Sequence, residues 1–109
     1  MPFRQEKVSS LLKSVAASFI QKEITFAPGI LISVTEVNLS KDLKTANILI
    51  TVFPEKKEKE TIKMLKRNRS NLREYAKSYL KMKFLPYFEI EMDKGEKRRQ
   101  RIDEILSKK

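Results

Sequence analysis

Two alternating runs rich in β-branched residues, joined by a very short link, constrain this chain more than any other feature. The first is GILISVTEVNLS at 29–40, and the second runs from Thr45 to Phe53. Ile, Val and Thr suit a pleated surface. A link as short as Ser40–Lys44 makes an antiparallel hairpin the simplest arrangement. Strict alternation puts Ile30, Ile32 and Val34 on one face of the first strand. Leu31, Ser33, Thr35, Val37 and Leu39 fall on the other. Its N-terminal half is apolar on both faces, so it is expected to be covered on one side and partly exposed on the other. In the second strand Ala46, Ile48, Ile50 and Val52 alternate with Asn47, Leu49, Thr51 and Phe53.

Helical periods surround this hairpin. Val8, Leu11, Leu12, Val15, Ala16, Phe19 and Ile20 keep the 3/4 spacing of a core-packed helix over Arg4–Lys22, and Pro28-Gly29 closes that segment. Pro54 stops the second strand. The run EKKEKE then reads as the solvated start of a helix over Lys57–Arg67, anchored by Thr61, Ile62 and Leu65. Asn68-Arg69-Ser70-Asn71 interrupts, because Asn and Ser side chains compete with the helical ladder. A third helix is expected over Ser70–Met82. Leu72, Tyr75, Ala76, Tyr79 and Leu80 form its apolar stripe, and both tyrosines are expected in the core. Pro86 biases Leu85 away from helix. A third strand, Tyr87–Met92, sets Phe88, Ile90 and Met92 against Tyr87, Glu89 and Glu91. The order is α-β-β-α-α-β. Residues 1–93 are expected to form one α+β domain with a three-stranded sheet, and residues 94–109 a short basic C-terminal helix or tail.

The net charge of +10 is unevenly spread. Residues 56–83 hold eleven Lys/Arg against three Asp/Glu, and residues 94–109 hold seven against three. Clustered cations gain affinity for a polyanion by releasing its condensed counterions; a solvated Lys-rich surface is the alternative. Within the basic stretch, Arg73, Lys77 and Lys81 recur every four residues and would stack as a row on one helix. Lys66, Arg67 and Arg69 surround Asn68 and Ser70 at the break. A helix break flanked by cations is a plausible grip for a phosphate backbone. The chain has no Cys and no His, so disulfides and thiol chemistry are excluded, and acid–base or zinc chemistry would need other groups. Glu89, Glu91 and Asp93 could be a Mg²⁺ site; the alternatives are an exposed acidic face or salt bridges to neighbouring cations. No cofactor is expected. No apolar run reaches the ~18–20 residues of a membrane span, and MPFRQEK lacks the apolar core of a signal peptide, so a cytosolic protein is expected.

The element order resembles the type II KH fold, an RNA- or DNA-binding architecture. Particular residues narrow the likeness. Arg4 and Val8 open the first helix, and Ile32-Ser33-Val34-Thr35-Glu36-Val37 leads into Leu39-Ser40-Lys41-Asp42-Leu43 and Ala46. Leu72-Arg73 follows, then Lys83-Phe84-Leu85-Pro86 and Asp93. This series, spanning about residues 4–106, resembles the bacterial ribosome-binding factor A family. The resemblance implies a small, monomeric KH-like protein that binds the small (30S) ribosomal subunit during assembly. It implies assistance to 16S rRNA maturation, including processing at the 5′ end, importance for growth in the cold, and no catalytic activity.

Two departures from the pattern stand out. KH domains grip RNA with a Gly-x-x-Gly loop, and this family typically has an Ala-x-Gly kink there; here Asn68-Arg69-Ser70 takes its place, and the only glycines are Gly29 and Gly95. Lys83 stands where the family usually has Arg, which keeps the charge and loses the planar fork. The RNA-binding set expected on this reading is Arg4, Lys7, Lys66, Arg67, Asn68, Arg69, Ser70, Arg73, Lys77, Lys81 and Lys83. A generic KH module for single-stranded RNA or DNA is the alternative, and it would want exposed aromatic rings. A metal-dependent nuclease using Glu89, Glu91 and Asp93 is a third reading.

Overall fold

The computed structural model describes residues 2–24, 28–80, 82 and 84–95, with side chains from Glu6 onward. Three helices lie against one face of a three-stranded sheet. The elements are α1 (Pro2–Glu23), β1 (Leu31–Leu39), β2 (Thr45–Phe53), α2 (Glu58–Arg67), α3 (Arg69–Tyr79) and β3 (Tyr87–Met92), with a 3₁₀ turn at Glu55–Lys57 leading into α2. The strand order is β1-β2-β3; β1 is antiparallel to β2, and β3 is parallel to it. A parallel neighbour needs a crossover connection, and α2 and α3 supply it. This is the expected α-β-β-α-α-β architecture. The basic tail, 96–109, lies outside the described residues.

The core sits between the helices and the inward side of the sheet. Ala46, Ile48, Ile50 and Val52 of β2 are buried there with Phe88 and Ile90 of β3. Leu12, Ala16, Phe19 and Ile20 of α1, Leu65 of α2, and Leu72 and Ala76 of α3 cover them. The alternation predicted for β2 and β3 therefore holds residue by residue.

In β1 it does not hold. Val34 pairs with Ile50 and Glu36 with Leu49, so Thr35 is an extra residue. A bulge of this kind places two residues opposite one and shifts the side-chain phase. It keeps Val37 and Leu39 on the inward face together with Ile32 and Val34, where strict alternation had separated them. The Thr35 hydroxyl donates to Asp93 Oδ2 at 2.5 Å, with the Leu49 carbonyl oxygen 3.2 Å away. Its single proton serves the charged acceptor. The bulge is thus clasped to the end of β3 across the whole sheet.

The β1–β2 turn is built from its polar residues. Ser40 Oγ donates to Asp42 Oδ1 at 2.6 Å, and the backbone N–H groups of Lys44 and Thr45 donate to Asp42 Oδ1 and Ser40 Oγ, both at 3.0 Å. This network holds Leu43 at φ 61°, a left-handed backbone unusual for a side chain of its kind.

Candidate nucleic-acid interface

The basic stretch folds into two helices meeting at one residue. Helix α2 ends at Arg67, Asn68 adopts φ −93° and ψ 11°, and α3 begins at Arg69. The break is narrower than the expected Asn68-Arg69-Ser70 and needs no left-handed residue. Asn68 N donates to the carbonyls of Met64 (3.2 Å) and Leu65 (3.1 Å), and its Nδ2 donates to Met64 O at 2.9 Å. The Asn68 side chain therefore closes α2 and does not cap α3. Its Oδ1 accepts from Asn71 Nδ2 at 3.1 Å.

The N-terminus of α3 carries no acidic residue in its first turn and no side-chain cap. Lys66 and Arg67, in the last turn of α2, are exposed beside it, as is Ser70. Free N–H groups and the positive end of the helix dipole favour an anion there, and the two cations add to that field.

The remaining cations divide. Arg73 is half-buried; its Nη1 donates to Pro86 O at 2.9 Å and its Nη2 lies 3.4 Å from Leu85 O. Arg69 stacks over the Tyr87 ring, 5.1 Å from its centroid, and its Nη1 donates to the Tyr87 hydroxyl. The Arg69 Nε is buried without a hydrogen-bond partner among the described residues. Both arginines brace the entry to β3 and do not form an outward row. Helix α3 stops at Tyr79, short of the expected Met82, and Leu80 is extended at φ −110° and ψ 121°. Lys77 is exposed, with Glu74 Oε1 3.4 Å away. Lys81, Lys83 and the Arg4 side chain lie outside the described residues. Lys7 is exposed on α1 beside Glu6, Ser9 and Ser10, which border β1. It sits toward the opposite edge of the sheet from Arg69. Of the expected set, the described residues Lys66, Arg67, Asn68 and Ser70 lie together at the junction, with Lys77 farther along α3.

Tyr87 was not among the expected site residues. Nothing in the sequence ties it to Arg69, eighteen positions earlier. Tyr79 was expected in the core, yet it is 61% exposed. Its ring packs on Tyr75 (centroids 4.7 Å apart), which packs on Phe19 (5.4 Å). The Tyr75 hydroxyl lies 2.8 Å from Ser18 Oγ. That bond, and then one from Tyr79, lower the Tyr75 pKa, whereas its bond to Tyr75 raises that of Tyr79. Just after β3, Asp93 is turned to Thr35, and among the described residues no three His, Cys, Asp or Glu side chains are grouped to hold a metal.

The ribosome-binding factor A family model matches residues 4–106. The chain belongs to the ribosome-binding factor A family. Among its relatives, ribosome-binding factor A of Clostridium acetobutylicum is 31% identical, over 97% of this chain and 89% of that protein. That of Chlorobium phaeobacteroides is 30% identical, over 97% and 93%. The crystal structure of ribosome-binding factor A from Thermus thermophilus superposes with a TM-score of 0.71 at 26% identity, covering 81% of this chain and 93% of that one. Thermus thermophilus ribosome-binding factor A coordinates fitted into a cryo-EM map of a 30S complex give 0.66 at 27% identity, covering 76% and 88%. These matches agree with the KH-like α+β arrangement of the elements.

Proposed function

We propose that this chain binds the small (30S) ribosomal subunit during its assembly, as a noncatalytic monomeric factor, and assists 16S rRNA maturation in the cytoplasm. The observation that carries the reading is the α2–α3 junction, where exposed Lys66 and Arg67 flank an uncapped helix N-terminus free of acidic residues. Family membership and the 30S complex of the Thermus relative support it. Phosphate contacts at the junction hold and orient the protein but carry no sequence information. Recognition then rests on the shape of folded rRNA. The remaining cations of the expected set, including Lys7, Lys77, Lys81 and Lys83, would add long-range attraction. No helix among the described residues is long and apolar enough to cross a membrane.

The test is co-sedimentation with 30S and 50S subunits. Binding to 30S alone is expected, falling steeply with salt as counterions are released. Lys66→Glu with Arg67→Glu should weaken it by more than about tenfold while the fold is retained. Unchanged binding would remove the junction from the mechanism. Arg73 is a poor choice for charge reversal, because it also holds the entry to β3. One observation favours a single-strand-binding reading: exposed Tyr79 offers a ring for base stacking. Equal affinity for free single strands and for 30S subunits would support that reading instead.

A further inference from the structure

The sheet face opposite the helices is unused by these RNA contacts, and its chemistry is the reverse of theirs. At one end Leu31 of β1 is paired with Phe53 of β2, and the two are 65% and 69% exposed. Farther along, Leu49 is flanked by Glu36 on β1 and Glu91 on β3, and Glu89 is next to Asn47. Neighbouring strands lie about 4.8 Å apart, so Glu36 and Glu91 bracket Leu49 across roughly 10 Å. None of these three glutamates forms an ion pair among the described residues. No strand position on this face is Lys or Arg, in a chain of net charge +10. Two cations border it: Arg69, held on Tyr87 at the β3 end, and Lys13 of α1, which lines one pocket with Glu36.

An exposed apolar pair on the same face as carboxylates that form no ion pair among the described residues repels a phosphate backbone and suits a cationic, partly apolar polypeptide. Any protein seated on the same rRNA must itself be rich in Lys and Arg to neutralise phosphate. We infer that this open face docks a Lys/Arg-rich segment of a protein neighbour on the particle. Leu31 and Phe53 receive its apolar side chains, and Glu36, Glu89 and Glu91 receive its cations. The inference rests on the proposed binding to the subunit and divides the labour there: the helix junction meets RNA and the sheet meets protein. Opposite charge on the two sides also sets which way the domain faces.

The experiment has two arms on the full chain. In the first, ¹⁵N-labelled protein is titrated with a synthetic peptide alternating Lys/Arg with Leu, and separately with a single-stranded RNA oligomer. The peptide should shift the amides of Ser33, Glu36, Leu49 and Glu91, and the RNA those of Arg67–Asn71. Glu36→Gln, Glu89→Gln and Glu91→Gln together should weaken the peptide by about tenfold and leave RNA affinity unchanged; the corresponding Lys variants should weaken it further. Peptide shifts away from the sheet, RNA shifts on it, or unchanged affinity in the triple Gln variant would overturn the inference. So would contacts of residues 96–109, or of a second copy, with this face in the free protein. In the second arm, a photo-crosslinker at Ser33 is activated on purified 30S subunits. An adduct mapping to a Lys/Arg-rich peptide of a subunit protein is expected, and an rRNA adduct overturns the inference. Failure to bind subunits at all would count against the proposed function, and the peptide titration would then decide this inference separately.

Discussion

Arg73 Nη1 donates to the carbonyl oxygen of Pro86 at 2.9 Å. A cation from the second turn of α3 thereby fixes the backbone just before β3, and the strand enters the sheet beside β2 in the correct register. Arg73→Lys cannot reproduce the fork and should lower stability by about 1–2 kcal/mol in urea denaturation. Lys77→Ala, whose exposed pairing with Glu74 is worth little, should stay within about 0.5 kcal/mol. Equal losses for the two would show that the Arg73 contact is not structural.

Asn68 works as a C-terminal lock for α2. Asn68→Ala removes the bond to Met64 O and should destabilise by about 1 kcal/mol. Asn68→Gly should also destabilise, because φ is −93° and glycine's access to positive φ gives no relief. Its added chain entropy costs roughly 0.5–1 kcal/mol. A Gly variant more stable than the parent in thermal unfolding would contradict this account of the break.

The Asp42 carboxyl is held below its ordinary pKa, first by the Ser40 hydroxyl and then by the Lys44 N–H. A depressed folded pKa means that the turn's contribution is present above the ordinary carboxylate range and is lost as pH falls through the folded value. An NMR titration should show Asp42 as one of the more acidic carboxyls. Ser40→Ala should move it back up, and no movement would assign the shift elsewhere.

Two residues of β2 separate core from surface. Ile50 is fully buried and Phe53 is 69% exposed. Ile50→Ala should cost about 2–5 kcal/mol from lost transfer and cavity terms. Phe53→Ser should remain within about 0.5 kcal/mol, since no core contact is lost. Chemical denaturation of the two variants checks both.

Much of this architecture is readable from periods. The 3/4 spacing of Val8 to Ile20 and the alternation of Ala46 to Val52 say which side of each element is apolar, and those sides became the core. The helix break is signalled by Asn68. The candidate site is less legible, because Arg69 and Arg73 look like Lys66 and Arg67 in sequence. Their roles depend on acceptors supplied by Tyr87 and Pro86, thirteen to eighteen residues away. Tyr79 shows the same limit: it lies on the stripe, yet α3 ends there and Leu80 turns inward to pack on the core in its place.

The sequence alone determined the element order, the hairpin, the buried faces of β2 and β3 and the concentration of positive charge, because each is a local pattern. Only the tertiary structure decided the bulge at Thr35, the end of α3, which cations stay in solvent and the charge opposition between helix junction and open sheet. Those features depend on what a distant segment presents. A hydroxyl, a guanidinium or a phenol ring takes its role from the acceptor or cation that packing brings to it.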